Sequence, residues 1–348
     1  MKKTLALSLS VLLVIALFAG CTPAAQIQPS AEPAQATAEP TAAAATTPAQ
    51  AETPAMKIKA AMIMDGPVDD GGWNSDCYSG LKMLESEYGA EIAYSESVVQ
   101  ADYVSAMLEY AANGYNVIIA TGNQFTDAVK EIYAQYPDVW FIGINFDFSA
   151  DNVMAYSVDD MQGGFIFGSM AALLTQNKSV GYIGGTEIQS ILDGAEGMKK
   201  GVAYVDPTVQ FSYALTGSWN DAAKGKELAI SQITTSKVDV ILGYASACNV
   251  GMIEACQEYG AKFIATPGAN DTNPDTIAGN VIMSNGMLIK LAVGHILDGT
   301  AKDNLVYTGT VADGVIKLGN FGNGVSQEVK DRMAQIMADL ASGKINAE

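Results

Sequence analysis

The stretch Ile58-Lys59-Ala60-Ala61-Met62-Ile63-Met64, followed by Asp65-Gly66-Pro67-Val68-Asp69-Asp70-Gly71-Gly72 and then by residues 73–88, decides the reading of this chain. The first seven residues form a short, almost unbroken apolar run, the pattern of a strand covered on both faces. The next eight are turn formers. From Trp73 onward the apolar positions Leu81, Leu84 and Tyr88 recur at helical spacing. The same alternation continues outward. Residues 90–94, 117–120, 140–144 and 153–157 read as strands. Residues 103–113 and 126–135 read as helices, the first closed by Asn113-Gly114 and the second followed by Pro137. The cycle then restarts, with helices at 162–175, 190–204, 222–235 and 250–259 and strands at 179–183, 209–215, 238–243, 262–266 and 281–284. Apolar strands alternating with helices predict an α/β protein with parallel sheets. Two such series predict two doubly wound, Rossmann-like lobes. A single (αβ)8 barrel is the alternative that the same alternation allows.

In open parallel sheets ligands bind beyond the carboxyl ends of the strands. That directs attention to the loops at 65–74, 121–125, 145–148, 184–190, 217–221, 245–249 and 267–273. They are polar, contain glycine and carry aromatic residues.

The N-terminal region is of another kind. Lys2 and Lys3 precede an apolar run over residues 5–18, and Ala19-Gly20-Cys21 follows. The run is short for a membrane span of about 20 residues and reads as a secretion signal over residues 1–20. The residues before Cys21 closely resemble a bacterial lipobox, which implies that Cys21 is lipidated. An ordinary signal with an incidental cysteine is the alternative. Residues 22–54 are mostly Ala, Thr, Pro, Gln and Glu with almost no large apolar side chains. Such a segment buries too little surface to offset the entropy of ordering, so residues 21–56 are expected to be a disordered tether. The expected location is the extracytoplasmic face of a cell membrane, reached through the lipid anchor only.

Composition narrows the chemistry. Lys and Arg number 19 against 38 Asp and Glu, a formal net charge of −19. Such a chain repels nucleic acid and anionic lipid surfaces. Arg332 is the sole arginine, so a bidentate arginine clamp for a carboxylate or phosphate is nearly excluded. His295 is the sole histidine and lies in an apolar helical stretch. A histidine-rich metal site, a Ser-His-Asp triad or a Cys-His pair would each need it. Beyond Cys21 the cysteines are Cys77, Cys248 and Cys256, with no metal-site spacing. Cys248 and Cys256 form either a disulfide or, the simpler reading, plain buried thiols. No cofactor and no metal ion are expected.

Several fragments carry a family resemblance. The first loop, Gly66-Pro67-Val68-Asp69-Asp70-Gly71-Gly72-Trp73-Asn74, is similar to a Gly-x-x-Asp-x-x-Phe-Asn pattern, with Trp in the aromatic place and one extra residue. Gly217-Ser218-Trp219-Asn220-Asp221 is similar to Gly-Ser-Phe-x-Asp. The fragments starting at Asn116, Tyr136, Ala171 and Asp239 fit the same running order. Together they resemble the basic membrane protein, or PnrA-like, family, lipoprotein substrate-binding components of nucleoside-type ABC transporters, from about Lys57 to the C-terminus. The resemblance implies a type I periplasmic-binding-protein fold, with two lobes joined by crossover hinges and a ligand in the cleft. Lobe one is expected over 57–158 plus 285–302, and lobe two over 159–284 plus 303–348. It implies a small, nucleoside-like ligand and permease subunits as partners, and a monomer is expected.

Trp73 and Trp219 are read as lying on equivalent loops of the two lobes. Two aromatic faces converging on a cleft can sandwich a flat heterocycle, at roughly 0.5–1.5 kcal/mol per stacked pair beyond burial. Asn74 offers a donor and an acceptor together. Asp221, Asn270 and Asp271 are suited to accept from sugar hydroxyls. Asp69, Phe125, Asn145 and Asn249 complete the candidate set, each on a strand-end loop. The chain departs from the family pattern where Asn145 replaces an aspartate, at Ala245–Asn249, at Thr266–Asp271, and after Ser284, where an expected lysine gives way to Asn285-Gly286-Met287. A free base, another flat heterocycle or a sugar therefore stays open as ligand, as does a sensor rather than a transport role. An enzyme reading also exists. Asp65, Asp69 and Asp70 are similar to the acidic calcium cluster of nucleoside hydrolases, in which carboxylates share a hard cation and activate water. Pro67 stands where that pattern wants a further aspartate, and no histidine is nearby.

Overall fold

The computed structural model describes residues 56–265 and 273–347, so Cys21, Asn270, Asp271 and the expected signal and tether lie outside the described residues. Strand β1 (Lys59–Ile63) leads to α1 (Trp73–Tyr88). There follow β2 (Glu91–Ser95), α2 (Tyr103–Ala112), β3 (Val117–Ala120), α3 (Thr126–Ile132), β4 (Trp140–Ile144) and β5 (Val153–Val158). The second series runs α4 (Asp160–Leu174), β6 (Ser179–Gly184), α5 (Gln189–Val205), β7 (Gln210–Leu215), α6 (Ala222–Thr235), β8 (Val240–Tyr244), α7 (Cys248–Tyr259), β9 (Lys262–Ala265) and β10 (Ile277–Met283). The chain returns through α8 (Asn285–Leu297) and β11 (Val306–Gly309), and ends with β12 (Ile316–Phe321) and α9 (Gln327–Ala341).

Two separate open sheets result, in the orders β11-β5-β4-β3-β1-β2 and β12-β10-β9-β8-β6-β7. The barrel alternative falls with them, because neither sheet closes. Element by element the orders correspond: β1 to β6, β2 to β7, β3 to β8, β4 to β9 and β5 to β10. The last pair differs, since β11 runs parallel to β5 while β12 runs antiparallel to β10. The pairing of Tyr307 with Tyr156 puts β11 in the first sheet. The third crossing thus lies after Gly309, not at the expected boundary of 302. Strand pairing decided this, and a four-residue strand carries no mark of the sheet it joins.

Local chemistry accounts for the elements. The central strands are buried throughout, as in β3, whose Val117, Ile118, Ile119 and Ala120 are all covered by helices. Helix α1 buries Leu81 and Leu84, each contributing roughly 1.5–3 kcal/mol. It ends at Gly89 in the left-handed region, φ 63°, where the next residue's N–H turns back to Leu84. Apolar residues on the α2–α3 face of the first sheet and on the α6–α7 face of the second form separate clusters. A third cluster runs continuously from α1 and α8 across the crossings to α4 and α5. In it α4 and α5 meet backbone to backbone, because Gly164, Gly168, Gly197 and Gly201 leave no side chain between them.

The crossings are short and tied to one another. Asp159 alone links β5 to α4, and its N–H donates to Gly309 O at 3.0 Å. Ser284 alone links β10 to α8, and its N–H donates to Val315 O at 3.0 Å. The Val311 N–H donates to Gln162 Oε1 at 2.6 Å. Because the chain passes from the carboxyl ends of β5, β10 and β11 directly into the other lobe, the strand-end loops of the two sheets turn toward one another.

Candidate functional site

On lobe one, Asp70 organises the wall. Its carboxylate accepts the N–H groups of Gly72 at 2.8 Å, Asn74 at 3.0 Å and Ser75 at 3.0 Å. It also accepts Asn74 Nδ2 and Ser75 Oγ, both at 2.9 Å. Gly72 at the helix N-cap has no side chain to do this, so Asp70 supplies the acceptor that the first turn of α1 requires. Partial burial raises its pKa, but the bonds from Ser75, Gly72 and Asn74 outweigh that and hold it below the usual carboxylate range. The neighbouring candidate Asp69 is exposed. The organising acid is one residue further on, in register with Trp73 and Asn74.

Trp73 opens α1 and is 38% exposed, and its Nε1 donates to Thr121 O just after β3. The polar edge is thereby anchored while the residue stays exposed. Asn74 is buried at 7% exposure; its amide nitrogen is used by Asp70, and its Oδ1 is buried with no protein partner. Asn145 follows β4 with φ 58°, is exposed, and donates its N–H to Tyr156 O at 2.7 Å. Phe125 does not join this wall. It is fully buried against Tyr103, ring centroids 4.1 Å apart, in the α2–α3 cluster. An aromatic residue at a strand-end loop satisfies either position, and here the core took it.

On lobe two, Trp219 lies in the β7–α6 loop, so it is not on the equivalent of the β1–α1 loop that carries Trp73; that equivalent is the β6–α5 loop. Its side chain nonetheless lies over that loop, since a methyl group at Gly185 would collide with the six-membered ring of Trp219. The loop beneath is fixed by Thr216 Oγ1, which donates to Ser218 O at 2.6 Å, and by Cys248 Sγ, which donates to the same oxygen at 3.4 Å. Cys77, Cys248 and Cys256 are buried free thiols, with no disulfide among them. Asp221 is exposed and caps α6 by accepting the Lys224 N–H at 2.9 Å. Asn249 enters the first turn of α7, with its Oδ1 buried beside Gly243 and without a partner.

Three groups at this end of the lobes are not among the candidate residues named from the sequence, although Thr121 and Gly185 lie in its strand-end loops. Thr121 receives Trp73, and Gly185 seats Trp219. Asp160, the first residue of α4, accepts from Tyr244 Oη at 3.1 Å. Burial pushes the Asp160 carboxyl up to about 7, assisted by the charges of Asp193 and Asp159 and opposed by the Tyr244 bond. Gly71-Gly72 without a capping side chain signals Asp70; the Asp160–Tyr244 pair is 84 residues apart and has no local signal. Asp70 is taken up by five protein donors, and among the described residues no group of three or more His, Cys, Asp or Glu side chains is placed to hold a metal ion.

A sequence profile described as ABC transporter substrate-binding protein PnrA-like matches residues 57–345. The chain belongs to this family. It is a substrate-binding protein of ABC transporter type, and membership implies a small-molecule ligand, permease partners and an extracytoplasmic location. Among the described residues no helix is long and apolar enough to cross a membrane. The chain is 26% identical over 296 residues to a purine-binding protein of Brucella abortus, covering 83% of each. It is 23% identical over 281 residues to the transcriptional activator protein med of Bacillus subtilis, covering 80% of this chain and 87% of that one. An ABC transporter system solute-binding protein from Conexibacter woesei shares the fold, with a TM-score of 0.70 at 19% identity over 83% of this chain and 98% of that one. The two-lobed, type I periplasmic-binding-protein architecture read from the sequence is the one observed.

Proposed function

We propose that this PnrA-like protein captures a nucleoside or a similar flat heterocycle for import, working as a monomer anchored through a lipid on Cys21. The observation that carries the reading is the anchored, exposed Trp73 beside buried Asn74, whose Oδ1 has no protein partner. A ring stacked on Trp73 with a polar edge toward Asn74 satisfies both, and buried unpaired oxygens favour a ligand that supplies a donor. Trp219 then closes from the other lobe, with Asn249, Asp221, Asn270 and Asp271 as further polar contacts and Asn145 and Asp69 at the rim. The naming of the Brucella relative as purine-binding supports the same ligand class. The lobes open and close about the crossings, and the ligand favours the closed form, which docks on the permease.

Thermal unfolding in the presence of nucleosides, free bases and sugars, with EDTA and calcium controls, tests this. A shift of several degrees with one nucleoside, recovered intact, is the expected result. Stabilisation by sugars alone would replace the ligand class. Calcium-dependent cleavage of the nucleoside would overturn the transport reading.

A further inference from the structure

Asp76 lies one residue past the first three of α1 and faces away from Asp70's network, toward the second crossing. Its Oδ1 accepts Ser284 Oγ at 3.0 Å and its Oδ2 accepts the Asn285 N–H at 2.6 Å. Ser284 is the single residue between β10 in lobe two and α8 in lobe one, and it is also the cap of α8, accepting the Met287 N–H at 3.2 Å. A carboxylate at this point meets the positive end of α8 and makes a charge-assisted bond to its first free N–H. Through its own N–H, Ser284 is tied to Val315 on the third crossing. A single side chain thus joins the helix that begins with Trp73 and Asn74 to two of the three crossings.

There is no slack along this path. Below Asp76, α1 and α8 touch at Gly80 and Gly286, where a Cβ on Gly80 would stand 2.7 Å from the Cα and the carbonyl oxygen of Gly286. Below Asp76 helix α8 therefore follows α1 as one body, and bending about the second crossing falls at Ser284 itself, the single residue between β10 and α8, where the Asp76 contacts are made. A displacement of the first turn of α1 by a ligand is delivered to Ser284 within one helical turn.

Building on the cleft-binding reading, we infer that Asp76 is a positioning residue for closure, coupling occupancy of the Trp73–Asn74 surface to rotation at the second crossing. The open and closed states then differ in how well the Asp76–Ser284–Asn285 contacts are made, and weakening them changes the closing equilibrium without touching the ligand.

The three tryptophans, Trp73, Trp140 and Trp219, allow a direct test. The full chain and its Asp76→Asn and Ser284→Ala variants are labelled with 5-fluorotryptophan and followed by NMR, first without ligand and then titrated with inosine. The expected result is that both variants redistribute the Trp219 signal in the ligand-free protein, although Trp219 is on the other lobe, while Trp140 at the start of β4 stays put. The inosine Kd is expected to change about five- to tenfold in each variant, and the double variant by less than the product of the two. Variants that lower the melting temperature yet leave the Trp219 signal and the Kd within about twofold of wild type assign a purely structural role and overturn the inference. Ser284→Ala keeps the Asn285 bond, so it reports even where Asp76→Asn folds poorly. A wild type whose tryptophan signals ignore inosine defeats the ligand reading instead, and the ligand-free Trp219 comparison still decides the role of Asp76.

Discussion

The two walls of the proposed cleft are built by opposite means. On lobe one a single carboxylate, Asp70, gathers five donors and so presets Trp73 and Asn74. On lobe two, Trp219 is seated by an absence, the missing side chain of Gly185, over a loop held by Thr216 and Cys248. Hydrogen bonds are directional and fix a loop in one geometry; ring packing over glycine is non-directional and permits sliding. Under the proposed function, lobe one would receive the ligand first and lobe two would adjust on closing.

The largest test of this contrast is Asp70→Ala. It strands the donors of Gly72, Asn74 and Ser75, and a loss of about 2–3 kcal/mol is expected in stability and in ligand affinity together. Chemical denaturation and calorimetric titration check this, and unchanged affinity would mean that the lobe-one wall is not preset. Gly185→Val comes next. The backbone there accepts a side chain, but Trp219 must move, so affinity falls by about 2 kcal/mol while the wall of lobe one stays intact. A tryptophan emission spectrum unchanged from wild type would show that Trp219 is not seated over Gly185.

Asp160→Asn probes the charge buried on lobe two. A carboxyl raised to about 7 binds its proton more tightly folded than unfolded, so the wild type loses stability as pH rises from about 4 to about 7. Above that range Asp160→Asn should be more stable than wild type by about 1.5 kcal/mol, allowing for partial exposure, and equal to it near pH 4. Melting curves across that range decide it, and a constant difference at every pH would refute it. The smallest effect belongs to Phe125→Leu, which should cost about 1 kcal/mol of stability and leave ligand affinity alone. A loss of affinity there would return Phe125 to the cleft wall.

These positions also mark how far the sequence could be read. The strand-end loops, Trp73, Asn74 and Trp219 stood out because a parallel-sheet pattern specifies which loops share an end. The choice between Asp69 and Asp70 did not, because two adjacent acids in a turn are equivalent until the helix start sets the register. Phe125 was open for a similar reason: loop position gives the end of the sheet, not whether a ring points in or out. The placement of Trp219 over the loop equivalent to that of Trp73, despite an origin one strand away, rests on two segments separated by 34 residues and on a glycine whose role is to be small.

From sequence alone come the alternation of strands and helices, the two series that imply two lobes, the family, and the narrowing of arginine- and histidine-based chemistry to Arg332 and His295. These are properties of periodicity and inventory, which are local or additive along the chain. Only the tertiary structure assigned β11 to the first sheet, paired Asp160 with Tyr244, and brought Asp76 to Ser284 across 208 residues. Such contacts depend on which surfaces meet once the sheets have formed, and a short strand, a lone acid or a single serine carries no local trace of its distant partner.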